Sequence, residues 1–229
     1  MEVDWLEHSL GDLPGEDNWL SEREALRLSS MRFAKRRADW RLGRWTAKRA
    51  VAACLDLPCD PVSLAGIEII PAPGGAPEVF VAQERAEVTI SLSHSAGVAV
   101  CAVAAGGVAL GCDIEAIEPH SAAFAADYFT RPEQTLVAQA PAVDRPAILT
   151  LLWSAKESVL KALGMGLRGD PRAVTVDPGD APLAGGDEWR PLVARYEAQV
   201  FHGWWRQAGL LVRTLVAEPA PAPPRACLE

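Results

Sequence analysis

Between Ser95 and Cys112 the chain runs for eighteen residues without a charged side chain, then delivers two acids, Asp113 and Glu115. A stretch that apolar has to be buried. Its length is about the minimum for a membrane-spanning helix. The composition argues otherwise: Gly, Ala and Val dominate, and Gly106-Gly107 divides the stretch into two short runs containing valines. Gly-Gly between such runs predicts a β-hairpin of two buried strands and no membrane segment. Asp113 and Glu115, two apart, then project from one face of the second strand.

About forty residues later, Trp153-Ser-Ala-Lys156-Glu157-Ser-Val-Leu-Lys161 lies in a helical run. Glu157 and Lys161 are four apart and share a helical face. Leu151, Leu152, Trp153, Val159, Leu160 and Leu163 are apolar on more than one side, which predicts a largely buried helix. Each cluster also has a plain reading. Acids at a strand end can serve solubility, Glu157 and Lys161 can be a solvated ion pair, and Trp153 reads as core packing. Acids emerging from a buried strand are nevertheless costly unless paired or coordinated. Three carboxylates and a lysine brought together would hold a hard divalent cation and an anionic oxygen ligand, as phosphoryl chemistry requires.

With 229 residues the chain can bury a core as one large domain or two small ones. A net charge of −8 argues against general binding of nucleic acid or anionic membranes. One local basic patch stands out: Arg32, Lys35, Arg36, Arg37, Arg41, Arg44, Lys48 and Arg49 against a single acid, Asp39. Aromatic interleaving there is thin, so a small ligand with several phosphates suits the patch as well as nucleic acid does. The five cysteines lack zinc-ligand spacing, and no signal peptide is evident at the start, so a cytoplasmic protein is expected.

Ser21-Glu-Arg-Glu24 has capping-box spacing and predicts a helical region continuing, with an interruption, to about Leu55. Strands are expected over 62–70 and 88–92, the second delivering Ser93-His94-Ser95, with a turn-rich loop over 71–77. Helices are expected over 127–138 and 145–163, ended by Gly164 and Gly166, and a loop over 178–191. An antiparallel pair over 192–202 and 210–217 closes the fold, and the Pro/Ala-rich tail over 218–229 is expected to be disordered or extended. The element order predicts an α+β chain with two similar parts. No repeat is evident in the residues themselves. His94 reads either as a satisfied strand-end histidine or as a donor to a phosphate oxygen.

These segments together resemble the 4'-phosphopantetheinyl transferases, specifically the Sfp-type (surfactin-synthetase-activating) branch. The motifs occur in the family's order: Ser91-Leu-Ser-His94-Ser, Gly111-Cys-Asp-Ile-Glu115, Phe129-Thr-Arg-Pro-Glu133 and Trp153-Ser-Ala-Lys-Glu-Ser-Val-Leu-Lys161. Upstream, Arg37-Ala-Asp-Trp-Arg-Leu-Gly-Arg44 is similar to the family's basic helix. The resemblance spans roughly residues 20–170. It implies two α/β lobes related by a pseudo-twofold axis, an N-terminal lobe over 1–106 and a C-terminal lobe over 107–217, in one monomeric chain.

The resemblance also implies a reaction. The 4'-phosphopantetheine arm of coenzyme A passes to a serine of an apo acyl or peptidyl carrier protein, and adenosine 3',5'-bisphosphate leaves. Asp113, Glu115 and Glu157 match the family's Mg2+ ligands, and Lys161 its phosphate-binding lysine. Ser93 and His94 match its phosphate contacts. Arg37, Arg41 and Arg44 are candidates for the 3'-phosphate, and Lys156 for a further phosphate contact. Glu133 matches the proposed general base, a role also open to Glu115 or a metal-bound water. Two departures stand out: Ala76 replaces the lysine of a Gly-Lys-Pro loop, and Ser91 stands where relatives often have asparagine. Rival readings are a non-catalytic coenzyme A- or carrier-binding protein and a metal-dependent nucleotide phosphohydrolase.

Overall fold

The computed structural model describes residues 1–179 and 187–227. The chain opens with β1 (Asp4–Ser9), α1 (Glu22–Ser29) and the long α2 (Ala34–Cys54). A short α3 (Pro61–Ala65) leads into β2 (Ile67–Pro71), β3 (Pro77–Val81) and β4 (Glu84–Arg85). Three strands follow, β5 (Val88–Ser95), β6 (Val98–Ala105) and β7 (Ala109–Ala116). Then come α4 (Ala122–Tyr128), α5 (Arg131–Gln139) and α6 (Arg145–Ala162). The chain closes with β8 (Val174–Asp177), β9 (Arg190–Tyr196), β10 (Gln199–Ala208), β11 (Leu211–Glu218) and β12 (Arg225–Ala226). No helix among the described residues is long and apolar enough to cross a membrane.

Local chemistry explains where these boundaries depart from expectation. The stretch 62–70 is not one strand, because the Asp60 carboxylate accepts from Val62 N at 3.0 Å and Ser63 N at 3.1 Å. With Pro61 at the first position, that cap starts α3 before β2 begins. The helix expected over 127–138 is two helices, because Thr130 and Glu133 form a new capping box with Pro132 in the first turn. The strand expected over 192–202 is a β9–β10 hairpin turning at Glu197, whose φ is 51°. Half of the loop expected over 178–191, residues 180–186, lies outside the described residues, and Arg190 already belongs to β9.

The sheets have the orders β12-β1-β6-β5, β7-β11-β10-β9-β8 and β2-β3-β4. β6 and β7 are therefore not the hairpin that Gly106-Gly107 predicted. β6 pairs with β1 and β5, β7 pairs with β11, and Gly107, at φ 82°, hands the chain from one sheet to the next. The two strands meet through side chains instead: Val100 and Ala102 cluster with Cys112, Ile114 and Leu215. α2 covers one sheet through Ala47, Ala50 and Val51, packed with Leu6, Ile90 and Val103. α6 covers the other through Leu151, Leu152 and Val159, packed with Leu192, Val212 and Val216.

The described part of the tail, up to Cys227, is tied down by backbone hydrogen bonds. Arg225 N donates to Val3 O at 3.0 Å and Cys227 N to Trp5 O at 2.9 Å, so β12 closes the open edge of β1. An exposed strand edge offers unpaired donors and acceptors, and an extended segment satisfies them.

One four-residue pattern occurs twice, as Trp45-Thr46-Ala47-Lys48 on α2 and as Trp153-Ser154-Ala155-Lys156 on α6, and its two lysines are bonded alike. Lys48 Nζ meets Glu24 at 2.5 Å and donates to Trp19 O and Leu64 O, each at 3.0 Å. Lys156 Nζ meets Glu133 at 2.9 Å and donates to Pro171 O at 2.9 Å and to Val174 O. Each glutamate also closes a capping box, with Ser21 and Thr130 respectively, and accepts from a strand amide, Ile69 N at 3.4 Å or Val176 N at 2.9 Å. The strand orders agree as well, β1-β6-β5 on one side and β7-β11-β10 on the other.

Candidate functional site

Gly111 decides how closely α6 lies over β7. A Cβ there would stand 1.7 Å from Ser158 O, so only glycine lets the helix settle onto the strand. Hydroxyls then fix the helix against β11. Ser154 Oγ lies 2.9 Å and Ser158 Oγ 2.7 Å from Thr214 Oγ1. Asp113 and Glu115 share the strand face of Gly111, and Glu157 and Lys161 come from the helix above it. The close approach sets Lys161 Nζ 2.7 Å from Asp113 Oδ1, with a second bond to Cys112 O at 3.0 Å.

The neighbouring sheet supplies the other wall. β5 and β7 are edge strands of different sheets, and a row of serines joins them where no backbone ladder exists. Ser91 Oγ accepts from Cys112 N at 2.9 Å, and Ser93 Oγ donates to Asp113 Oδ1 at 2.7 Å. Ser95 Oγ donates to Glu115 Oε2 at 3.3 Å and accepts from Ala116 N at 3.3 Å. Alternation along β5 places all three hydroxyls on one face.

The charges here are poorly balanced. Asp113 is 3% exposed, with Oδ1 shared by Ser93 and Lys161, while its Oδ2 and Glu157 Oε1 are buried without a partner. Burial, then the Asp113 charge, pushes the Glu115 carboxyl up to about 7, and the same two causes raise Glu157. Burial pulls Lys161 down, but Asp113 and its neighbours outweigh this and hold the ammonium above its ordinary range. One fixed cation against three carboxylates leaves a site that wants more positive charge.

Among the described residues no group of three or more His, Cys, Asp or Glu side chains forms a ready-made metal cage. Mg2+ does not require one: it keeps waters and takes one or two carboxylates plus substrate phosphates. The two unpartnered carboxylate oxygens fit that demand.

A cleft of about 690 Å3 opens beside Lys161, lined by Arg27, Trp40, Arg44, the 74–77 turn, Ser91 and Arg168. Arg168 Nη2 donates to Gly74 O at 2.5 Å, tying that turn to the segment after α6. An adjoining hollow of about 660 Å3 is lined by Lys35, Arg36, Trp40, Arg44, Ser93 and His94. Of the three arginines singled out by sequence, only Arg44 lines these spaces, stacked 5.2 Å over Trp40 and 3.6 Å from Glu24. Arg37 is exposed and lines neither. Arg41 turns away, donating to Asp17 at 2.7 Å and to Pro14 O at 2.9 Å.

Two further expected site residues are engaged with each other. Glu133, expected as a general base, is 2% exposed, and its oxygens are engaged by Thr130 N, Val176 N and Lys156. Lys156, expected at a phosphate, has no exposed side-chain surface. The pair anchors α5 to α6 and lines neither space, because Lys156 points off the helix face that carries Glu157 and Lys161.

Sequence reasoning did not single out Arg27 or Arg168, named Lys35, Arg36, Trp40 and Ser95 only as parts of longer segments, and read Trp153 as core packing. Trp153 is not merely core, since its Nε1 donates to Glu115 Oε1 at 3.3 Å. The signal was present: Trp153, Glu157 and Lys161 recur every four residues along one helical face. Arg168 carried none, because only the folded turn brings it to Gly74.

No curated protein matches the chain. Among solved structures it is similar to Helicobacter pylori holo-[acyl-carrier-protein] synthase in complex with coenzyme A, at 17% identity and TM-score 0.36, covering 45% of this chain and 99% of that one. It is also similar to a Bacillus anthracis holo-(acyl-carrier-protein) synthase in complex with CoA (3',5'-ADP), at 22% identity and TM-score 0.37, covering 44% and 92%. Residues 109–210, which hold β7 and α6 and so all three carboxylates and Lys161, match the model of the 4'-phosphopantetheinyl transferase superfamily.

Proposed function

We propose that this protein is an Mg2+-dependent 4'-phosphopantetheinyl transferase of the Sfp type. It moves the phosphopantetheine arm of coenzyme A to a serine of an apo acyl or peptidyl carrier protein and releases adenosine 3',5'-bisphosphate. One observation carries the reading: Lys161 pairs with Asp113, whose charge acts on both Glu115 and Glu157, and two buried carboxylate oxygens stay unpartnered beside a cleft edged by arginines. The superfamily match over the same strand and helix supports it. The repeated Glu–Lys pairs and strand orders support a further part of the reading, two lobes about a pseudo-twofold axis in one chain.

Asp113, Glu115 and Glu157 would hold the ion. When bound, Mg2+ neutralises charge on a pyrophosphate. Lys161 lies beside the carboxylates and supplies fixed positive charge where negative charge develops during transfer. Arg44, Lys35, Arg36 and His94 hold the remaining phosphate in the adjoining hollow, arginine forks suiting its oxygens. Glu115, the carboxylate that Ser95 and Trp153 hold, would receive the proton of the attacking serine hydroxyl. Glu133, fully engaged elsewhere, leaves the role to it.

Two variants test the assignment. Asp113→Ala removes a ligand and abolishes transfer; wild-type turnover at limiting Mg2+ would refute that. Lys161→Ala lowers turnover more than coenzyme A affinity if its charge acts mainly in the transition state. Equal losses would make it a ground-state binder.

A further inference from the structure

We infer that Ser95 and Trp153 are positioning residues that clamp the Glu115 carboxylate across the seam between the two sheets. The inference rests on the proposed transferase reading and adds to it a built-in support for one of its acids. Each oxygen of Glu115 has its own neutral donor: Ser95 Oγ reaches Oε2 and Trp153 Nε1 reaches Oε1, both at 3.3 Å. The donors come from opposite walls, Ser95 from β5 and Trp153 from α6.

Neither donor is free to wander. Ser95 Oγ is tied back by the Ala116 amide at 3.3 Å, on the strand that carries Glu115. The Trp153 ring is boxed edge-on by Phe124 at 5.4 Å and Tyr128 at 5.1 Å, centroid to centroid, both from α4. α4 itself is capped by Ser121, whose hydroxyl accepts from Phe124 N at 3.2 Å. α4 thus aims an indole N–H at the acid, and β5 aims a hydroxyl.

The two donors fix the plane and direction of the carboxylate without adding charge. Lys161, by contrast, engages Asp113. A carboxylate that must meet a cation and a phosphate gains from pre-orientation, and loss of such outer partners typically costs about 10–100-fold in metal affinity or activity. Neutral donors leave the negative charge available, whereas a second lysine would cancel it.

The test uses Ser95→Ala, Ser95→Thr, Trp153→Phe and the Ser95→Ala/Trp153→Phe pair in the full-length protein. Mn2+ binding in the presence of coenzyme A is read by electron paramagnetic resonance, with no carrier added. Transfer kinetics are then measured against Mg2+ concentration, with a thermal melt as a folding control. The clamp predicts Mn2+ affinity weaker by about 10-fold or more in Ser95→Ala and in Trp153→Phe, and a matching rise in half-saturating Mg2+. Ser95→Thr keeps the hydroxyl and restores both. Coenzyme A KM at saturating Mg2+ stays near wild type, which a general packing defect would not allow. Wild-type Mn2+ affinity in the double variant overturns the clamp while leaving the transferase reading intact. Failure of Ser95→Thr to rescue also overturns it. A wild-type chain that binds no Mn2+ with coenzyme A present overturns the transferase reading, and the clamp falls with it.

Discussion

Replacing Glu133 with glutamine separates a structural role from a catalytic one. Glu133 accepts from Thr130 N at 2.8 Å, Val176 N at 2.9 Å and Lys156 Nζ at 2.9 Å, and only 2% of its surface reaches solvent. The Glu133→Gln side chain keeps the shape and can still accept from an amide, but leaves the Lys156 ammonium without a counter-charge. Burial already depresses the Lys156 pKa, and the Glu133 charge works against that depression. Removing one partner of a buried pair costs about 3–5 kcal/mol. A domain holds only about 5–15 kcal/mol in total, so the variant stays folded in the cold with much reduced resistance to urea. Loss of a general base would instead cost about 10²–10⁴-fold in turnover at unchanged stability. Urea melts and turnover per folded molecule decide. The account predicts a large fall in midpoint and near-normal turnover, and the same fall for Glu24→Gln, whose bonds to Lys48 repeat the arrangement. Normal stability with turnover down about 100-fold would refute it and return Glu133 to the chemistry.

Arg44→Ala should weaken coenzyme A binding clearly, whereas Arg37→Ala and Arg41→Ala should not, because only Arg44 lines the cleft; calorimetric titration checks this. Glu7→Gln should lose about 2 kcal/mol at neutral pH, since Arg213 is hydrogen-bonded to Glu7 and Arg206 adds charge. Burial alone would raise the Glu7 pKa, but the two arginines more than offset it and hold it below 4.5. A lowered carboxyl stabilises the fold above its unfolded pKa, and that benefit disappears as pH falls through the folded value. The gap between wild type and variant in urea melts should therefore narrow as pH falls below 4.5 and vanish once pH has passed the lowered folded value; a constant gap would refute the linkage. Gly111→Ala should displace α6 from β7 and lose transfer with the fold loosened, because the added carbon would meet Ser158 O at 1.7 Å; near-ultraviolet dichroism and a mass assay report both.

Much of the candidate site was legible because period-two and period-four spacing survive folding. Asp113 with Glu115, and Glu157 with Lys161, share faces that any strand or helix would give them. The pairing of strands was not legible. Gly106-Gly107 looks the same whether it closes a hairpin or hands the chain to another sheet, and the choice depends on β11, about a hundred residues on. The likeness of the two parts is short in the string, one Trp-Thr/Ser-Ala-Lys run and one capping glutamate per part, and the bonds that join lysine to glutamate show only in the fold. Arg37, Arg41 and Arg44 follow one another around a helix, and only the position of Asp17 shows that Arg41 is committed elsewhere. Glu133 and Lys156 are ambiguous in the string because a buried ion pair and a catalytic pair use the same residue types.

The central claim is that carboxylates from β7 and α6, with Lys161, serve transfer of an arm from coenzyme A to a carrier serine. Incubating the protein with coenzyme A, Mg2+ and a panel of apo carrier proteins, and weighing each intact carrier, tests it directly. The account predicts a gain of about 340 Da on at least one carrier, dependent on Mg2+ and absent with Asp113→Ala. Carriers that keep their mass while coenzyme A is bound or cleaved would contradict it.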